Sequence, residues 1–431
     1  RAMAASQQVY GDVARLSVGL FIHLDLGWMD HPFSLNSFKI RSQEQIDTLR
    51  SLGVKQVRYC PEKSDPEARQ IAEHGLPPAP PLSVTPSQNS PVAVDAPLQR
   101  HRALLAQQRA SLQQCERKFG DAAKAIRLLY KQAHAQPDAA RLQATAVIDG
   151  FLGDILSERE SAIRLLSEKA GDESSLHALN VTVVSLLLGK IAGLSQTDML
   201  ELGIGALLHD IGKMDLPDRL RWQDEQSSAA ERQLYQQHVA HGVELGKKMG
   251  LSPAALLVIA QHHELADGSG YPRHLHNDKL SVPSRIVTLV NRYDNLCNPA
   301  NPVQAMTPHE ALSLLFVQMK ARFDKAILAL FIRMMGVYPP GSSVQLNDGR
   351  YAMVTSVNSS RPLKPSVLVY DPQIAKEEAL LLNLESDPAL GIKNSLKPAQ
   401  LPRAVLDYLS PRKRMCYFFE RAIDAIEEPA V

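Results

Sequence analysis

Residues 207–214, LLHDIGKM, set an imidazole and a carboxylate inside a run of leucine, isoleucine and methionine. Any fold that buries this run must give Asp210 a partner, because a carboxylate taken out of water alone costs several kcal/mol or more. His209, Asp210 and Lys213 share roughly one helix face, since spacings of three and four return to the same side. Two partners suit the carboxylate. One is Lys213, in a buried ion pair. The other is a metal ion held by His209 and Asp210, with Lys213 beside it as a phosphate-binding cation. The stretch alone leaves both standing.

The surrounding chain adds donors of the same kind. Glu173 and His177 in DESSLHALN are four apart and point to one side of a helix. His238 lies in YQQHVAHGVELG, and His262 and His263 are adjacent in AQHHELADGSGYP, followed by Glu264. Neighbours on a helix diverge by about 100°, so an adjacent pair reaches two ions, or one residue ligates while the other orients it. Singly, each has a structural explanation. A lone His238 is a satisfied core histidine, Glu173–His177 a helix-surface contact, and DGSGYP (267–272) an ordinary turn. Together they outnumber the three or four ligands of one catalytic ion, and two or three divalent ions would use them all. Imidazole and carboxylate without thiolate suit iron or manganese, with zinc or nickel as alternatives. Cys60, Cys115, Cys297 and Cys416 form no CxxC pair that would argue otherwise. Paired ions are the usual apparatus of phosphoester hydrolysis, with Lys213 as a point charge for a phosphate oxygen.

The layout predicts a mainly α protein. Residues 1–75 read as a small α+β module. LFIHL and VKQVRYC are its strands, and SQEQIDTLRSLG its helix, with Ser42 as N-cap, Gln45 as capping-box partner and Gly53 at the stop. Residues 76–97 are a Pro-rich linker with too few large apolar side chains to order itself. Over 98–170 the pattern is helical. Leu105, Leu112, Phe119 and Ile126 recur every seven residues, with Cys115, Ala122 and Leu129 between them, a stripe that serves a homodimer through residues 98–135 or packs on the chain's own core. Residues 171–335 form the helical domain that carries the histidines. Residues 336–431 form a β-rich extension with a terminal helix, opened by a hairpin across Asn347-Asp348-Gly349. Against 47 basic residues stand 46 acidic ones, which argues against a nucleic-acid polymer as partner. VTVVSLLLGKIAGL, broken by Lys190, is too short for a bilayer, and the cysteine usage suits a reducing compartment, so a cytoplasmic protein without a membrane partner is expected.

HDIGK (209–213), His238 with Gly242, HHE (262–264) and DGSGYP (267–272), in this order and spacing, resemble the HD-GYP family, a branch of the HD superfamily of metal-dependent phosphohydrolases. The segment 17–64 is similar to a module of unknown function often found ahead of such domains. The resemblance implies an all-helical HD-type domain that hydrolyses cyclic di-GMP to pGpG or GMP through a metal-bridging hydroxide. It implies His209, Asp210, His238, His262 and His263 as ligands, Asp210 as the bridge, and Glu173 and His177 as the pair that goes with a third metal. Lys213 falls on the phosphate-contacting lysine, and Gly270, Tyr271 and Pro272 on the loop lining the substrate pocket. Two positions depart from the family pattern. Asn291 stands where a ligand aspartate is usual, with Asp294 on the second aspartate, and CNPANPVQ lacks the basic pair that holds the dinucleotide, leaving Arg285 or Arg292 to supply that grip. The departures keep an alternative open: a receptor or interaction module that retains the metals and signals through proteins that synthesise the same nucleotide. A hydrolase for another nucleotide is a third expectation.

Overall fold

The computed structural model describes residues 9–24, 37–52, 54–74, 96–157, 160–167, 173–221 and 227–422. Almost all of the expected linker, Gly53 and the Glu173 side chain lie outside these residues. The chain divides into two compact units, Arg1–Ser111 and Leu112–Val431.

In the first unit, strands β1 (Val9–Asp12), β2 (Phe21–His23), β3 (Ser37–Lys39) and β4 (Gln56–Tyr59) form an antiparallel sheet in the order β1-β4-β2-β3. Helices α1 (Gln43–Ser51) and α2 (Pro66–His74) accompany it. Ile22, Ile46, Leu49, Val57 and Tyr59 share its core, as the alternation of the strands requires. Ser42 caps α1 by accepting from the Gln45 N–H, but the Gln45 side chain returns to the N–H of Arg41 at 2.6 Å rather than to that of Ser42. The expected capping box is displaced by one residue.

Helix α3 (Ala96–Gln132) leads to α4 (Pro137–Ser157), β5 (Ser161–Leu165), α5 (Glu173–Ile191) and α6 (Gln196–Leu208). Then come α7 (Ala229–Gln236), α8 (His238–Met249), α9 (Pro253–Gln261), α10 (Val282–Cys297), α11 (Pro308–Val317) and α12 (Lys325–Met335). Apart from α7, their apolar faces and the following sheet share one core. Of the heptad stripe, Cys115, Phe119, Ala122, Ile126 and Leu129 are buried in that core, with Phe119 edge-on to Phe418 at 6.3 Å. That part of the stripe is taken up within the chain. Only Leu105 and Leu112 remain half-buried.

The C-terminal residues add β6 (Ser343–Leu346), β7 (Tyr351–Asn358), β8 (Ser366–Val369), β9 (Leu381–Asn383), β10 (Ile392–Leu396), α13 (Arg403–Leu409) and β11 (Tyr417–Arg421). The Asn347–Gly349 turn joins β6 to β7, with Gly349 at φ +91°. The antiparallel order is β10-β6-β7-β5-β11, with β8 and β9 branching from β7. Strand β5, which precedes the histidine-bearing helices in sequence, therefore sits between β7 and β11 and ties the last strand to the helical domain. No described helix is long and apolar enough to cross a membrane.

Candidate metal centre

Four histidines that sequence spacing marks as ligands lie at or next to helix ends. His209 caps the C-terminus of α6, His238 opens α8 directly after α7, and His262 caps α9 with His263 following. Carbonyls in the last turn of a helix lack their usual acceptor role toward the next turn, and these rings use them. His209 Nδ1 donates to Ala206 O at 2.6 Å, His238 Nδ1 to Tyr235 O at 2.6 Å and His262 Nδ1 to Ile259 O at 2.7 Å. A carbonyl only accepts, so Nδ1 carries the proton and each Nε2 is left with a bare lone pair. His177 on α5 reaches the same state differently, donating Nδ1 to Asp294 Oδ2 at 2.6 Å.

The lone pairs converge. His177 Nε2 lies 3.2 Å from His209 Nε2, and His238 Nε2 lies 3.3 Å from His262 Nε2. Two unprotonated nitrogens at that separation repel unless a cation stands between them. Two nitrogens bound about 2.1 Å from one ion at a tetrahedral angle are about 3.4 Å apart, so the spacing fits divalent metal. Asp210 divides its oxygens between the pairs. Oδ2 is 3.6 Å from His177 Nε2 and 3.4 Å from His209 Nε2, while Oδ1 is 3.4 Å from His238 Nε2 and 3.6 Å from His262 Nε2. Asp210 Oδ1 and His263 Nε2 are both buried without a hydrogen-bond partner. The ligating atoms therefore fall into two groups sharing Asp210: Asp210, His238, His262 and His263, and His177, His209 and Asp210. The residues fit two ions bridged by one carboxylate.

The ion pair considered from sequence is also present, with Lys213 Nζ 2.6 Å from Asp210 Oδ2 and over the Tyr235 ring at 5.2 Å. Burial opposes charge on Asp210, yet Lys213 and His209 outweigh it and hold the carboxyl well below the usual carboxylate range. Burial pushes His238 down to about 3 and lowers His209 and His263 as well, keeping these rings neutral and ready to ligate.

Gly212 and Gly242 set the approach of the turn after Asp210 to α8. A Cβ on Gly212 would lie 1.9 Å from His238 O and 2.3 Å from Gly242 N, so only glycine lets His238 reach Asp210. The loop after His263 is held by Glu264, a residue of the HHE motif to which sequence reading gave no role. Fully buried, it accepts from Arg273 N at 2.7 Å and Leu275 N at 2.9 Å. Gly270 packs against the backbone of residues 263–265. Tyr271 N donates to His263 O at 3.0 Å, and the Tyr271 ring stacks on His263 at 4.6 Å, with Pro272 next in the loop.

Three of the expected site residues have partners of their own. Asp294 is 2% exposed, with its oxygens taken by His177, Asn180 and Asn298, so it lies behind the cluster and does not face substrate. Arg285 is committed to Asp324 at 3.2 Å. Asn291 is buried, and its Oδ1 accepts from Asn295 Nδ2 at 3.0 Å along the same helix. Asn180 was missed, although its position three residues after His177, polar within an apolar helix, is a signal for a partner on that face.

The HD domain family matches residues 153–327, and the domain of unknown function DUF3391 matches residues 11–144. A cyclic di-GMP phosphodiesterase of Pseudomonas aeruginosa is 27% identical over 365 residues, covering 83% of this chain and 84% of that protein. The cyclic di-GMP phosphodiesterase PdeB of Borreliella burgdorferi is 25% identical over 192 residues, covering 44% of this chain and 51% of that protein. The chain thus spans most of the first relative and about half of the second. Among solved structures, an HDG"Y"P protein from Bdellovibrio bacteriovorus aligns with a TM-score of 0.36 and 14% identity, covering 75% of this chain and 97% of that one.

Proposed function

We propose that this chain, which carries an HD domain behind a DUF3391 module, is a metal-dependent phosphodiesterase that hydrolyses cyclic di-GMP, with pGpG or GMP as product. The observation that carries the proposal is the pair of inward-facing imidazole groups that share Asp210. His238, His262, His263 and Asp210 would hold one ion, and His177, His209 and Asp210 a second; iron(II) or manganese(II) suits these donors. When bound, such ions activate water and neutralise charge on the phosphate oxygens.

The remaining work falls to the chain. Lys213 gives one ammonium donor to Asp210 and another to Tyr235, and offers the third to a phosphate oxygen. Tyr271, fixed on His263, gives the dinucleotide a flat wall beside the cluster, and Gly270 and Pro272 shape that wall. With Arg285 engaged elsewhere, Arg292 is the cation for the second phosphate. It lies one residue past Asn291 with its side chain reaching solvent, while packing around its stem and the charge of Arg322 lower its pKa. Arg322 reaches the same loop, its carbonyl accepting from Ala266 N at 2.8 Å. Arg322, whose charge also acts on Asp267, is the second cation on that side for a phosphate. The setting is the cytoplasm, where the four buried free cysteines stay reduced. A homodimer through 98–135 would draw on the half-buried Leu105 and Leu112, and proteins that synthesise cyclic di-GMP are the expected signalling partners.

The test is turnover of cyclic di-GMP by protein reconstituted anaerobically with iron(II) or manganese(II), with products resolved by chromatography. Conversion to pGpG or GMP that vanishes in Asp210→Ala is expected. Bound metal without turnover would instead assign the chain a receptor role.

A further inference from the structure

The histidines of the cluster are not held alike. His209, His238 and His262 hang on backbone carbonyls, whereas His177 hangs on a carboxylate. Asp294 is itself locked. Its Oδ1 accepts from Asn180 Nδ2 at 2.8 Å and from Asn298 Nδ2 at 2.9 Å. Each of these amides also grips the segment leading into β11. Asn180 Nδ2 donates to Met415 O at 2.7 Å, and its Oδ1 accepts from Tyr417 N at 2.9 Å. Asn298 Nδ2 donates to Met415 O at 2.9 Å, and its Oδ1 accepts from Met415 N at 2.8 Å. Both amide orientations are thereby fixed, because each nitrogen faces only acceptors and each oxygen faces an N–H. The carboxylate is buried with no lysine or arginine partner among the described residues, so the cation it answers lies across the His177 ring.

The two ligand groups are also unequal. Among the described residues, one has four donors and the other three. We propose that Asp294 is a positioning residue for the weaker metal position formed by His177, His209 and Asp210, and that residues 415–417 of the C-terminal extension anchor it. The final strand is then part of the metal site. Asp294 orients the His177 ring so that its Nε2 faces His209 Nε2 across that position. This inference rests on the two-ion reading above.

The experiment is manganese(II) binding to the full metal-stripped chain by calorimetry and equilibrium dialysis, with thermal melts of each metal-free protein. Wild type is expected to bind in two classes of unequal affinity. Asp294→Asn should weaken the second class about 10- to 100-fold and leave the first unchanged. Asn298→Ala should act in the same direction with a smaller effect, and it carries the test should Asp294→Asn not fold. Two classes in wild type that both variants leave untouched would overturn the inference alone. So would equal weakening of both classes, the mark of a merely structural role. A wild-type chain that binds one ion, or none, would instead overturn the two-ion reading on which it rests.

Discussion

Replacing Gly212 by alanine is the sharpest available perturbation of the site, because it adds one methyl group and leaves every ligand side chain in the sequence. That methyl would sit 1.9 Å from His238 O and 2.3 Å from Gly242 N, and ordinary contact begins at 3.4 Å. The shortfall of about 1.5 Å is against backbone, so α8 must move away from the turn after Asp210, and His238 is its first residue. Ligand positions tolerate errors of about 0.2 Å, so a shift near 1 Å takes Nε2 of His238 out of reach of a shared ion. Overpacking of this kind costs about 1–3 kcal/mol, partly offset by about 0.4–1 kcal/mol from the stiffer unfolded chain. The protein should therefore stay folded, melting a few degrees lower, while turnover drops about 100-fold or more and manganese content falls. Gly242→Ala is the graded control. Its nearest neighbour is the Ile259 Cγ2 methyl at 2.9 Å, a side-chain atom that can turn aside, and Gly212 N is 3.4 Å away. Gly153→Ala, on α4 with nothing within 4 Å, should be neutral or stabilising by up to about 1 kcal/mol. The assay is metal content by mass spectrometry beside kcat and a melting curve for all three variants. A Gly212→Ala protein with full metal content and turnover within about twofold of wild type would refute the claim that this approach sets the ligand geometry.

Asp210→Ala should abolish metal binding and activity together, whereas Lys213→Ala should keep its metal and lose about 10²- to 10³-fold in kcat, the usual cost of one donor to a developing charge; metal loss in the lysine variant would sink its role as a phosphate contact. Arg292→Ala and Arg322→Ala should each raise KM about tenfold with kcat and manganese content nearly intact, and an unchanged KM in both would remove them from the substrate grip. For the metal-free protein, the buried imidazoles set a direction with pH. His238, with its pKa near 3 in the fold and an unfolded value near 6.5, leaves the unfolded chain binding the extra proton between those values. Stability should accordingly fall as pH drops below about 6.5, by up to about 1.4 kcal/mol per pH unit for this ring, with no such dependence above pH 7. Melting of chelator-treated protein from pH 7.5 to 4.5 measures it, and a flat or rising midpoint toward acid would contradict neutral buried rings.

Much of the site could be read from the sequence because its ligands sit at local landmarks. A helix that ends at His209 or His262 offers its own last-turn carbonyl three residues back, so tautomer and direction are encoded within one turn. The same locality carried the Ser42 cap and the Asn347–Gly349 hairpin. What could not be read depends on partners far along the chain. Strand β5 is five residues whose pairing is with β7 and β11, and nothing within those residues distinguishes it from a loop. The carboxylate for Arg285 lies 39 residues away at Asp324, and the amide that turns Asp294 from a substrate contact into a support for His177 lies 114 residues away at Asn180. Periodicity tells which side of α10 Asp294 occupies but not what occupies the other side of the gap. Only burial with three donors on two oxygens decides it: a carboxylate 2% exposed and so engaged is closed to a dinucleotide by the side chains around it, while its hold on Nδ1 leaves His177 Nε2 with nothing to do but meet a cation.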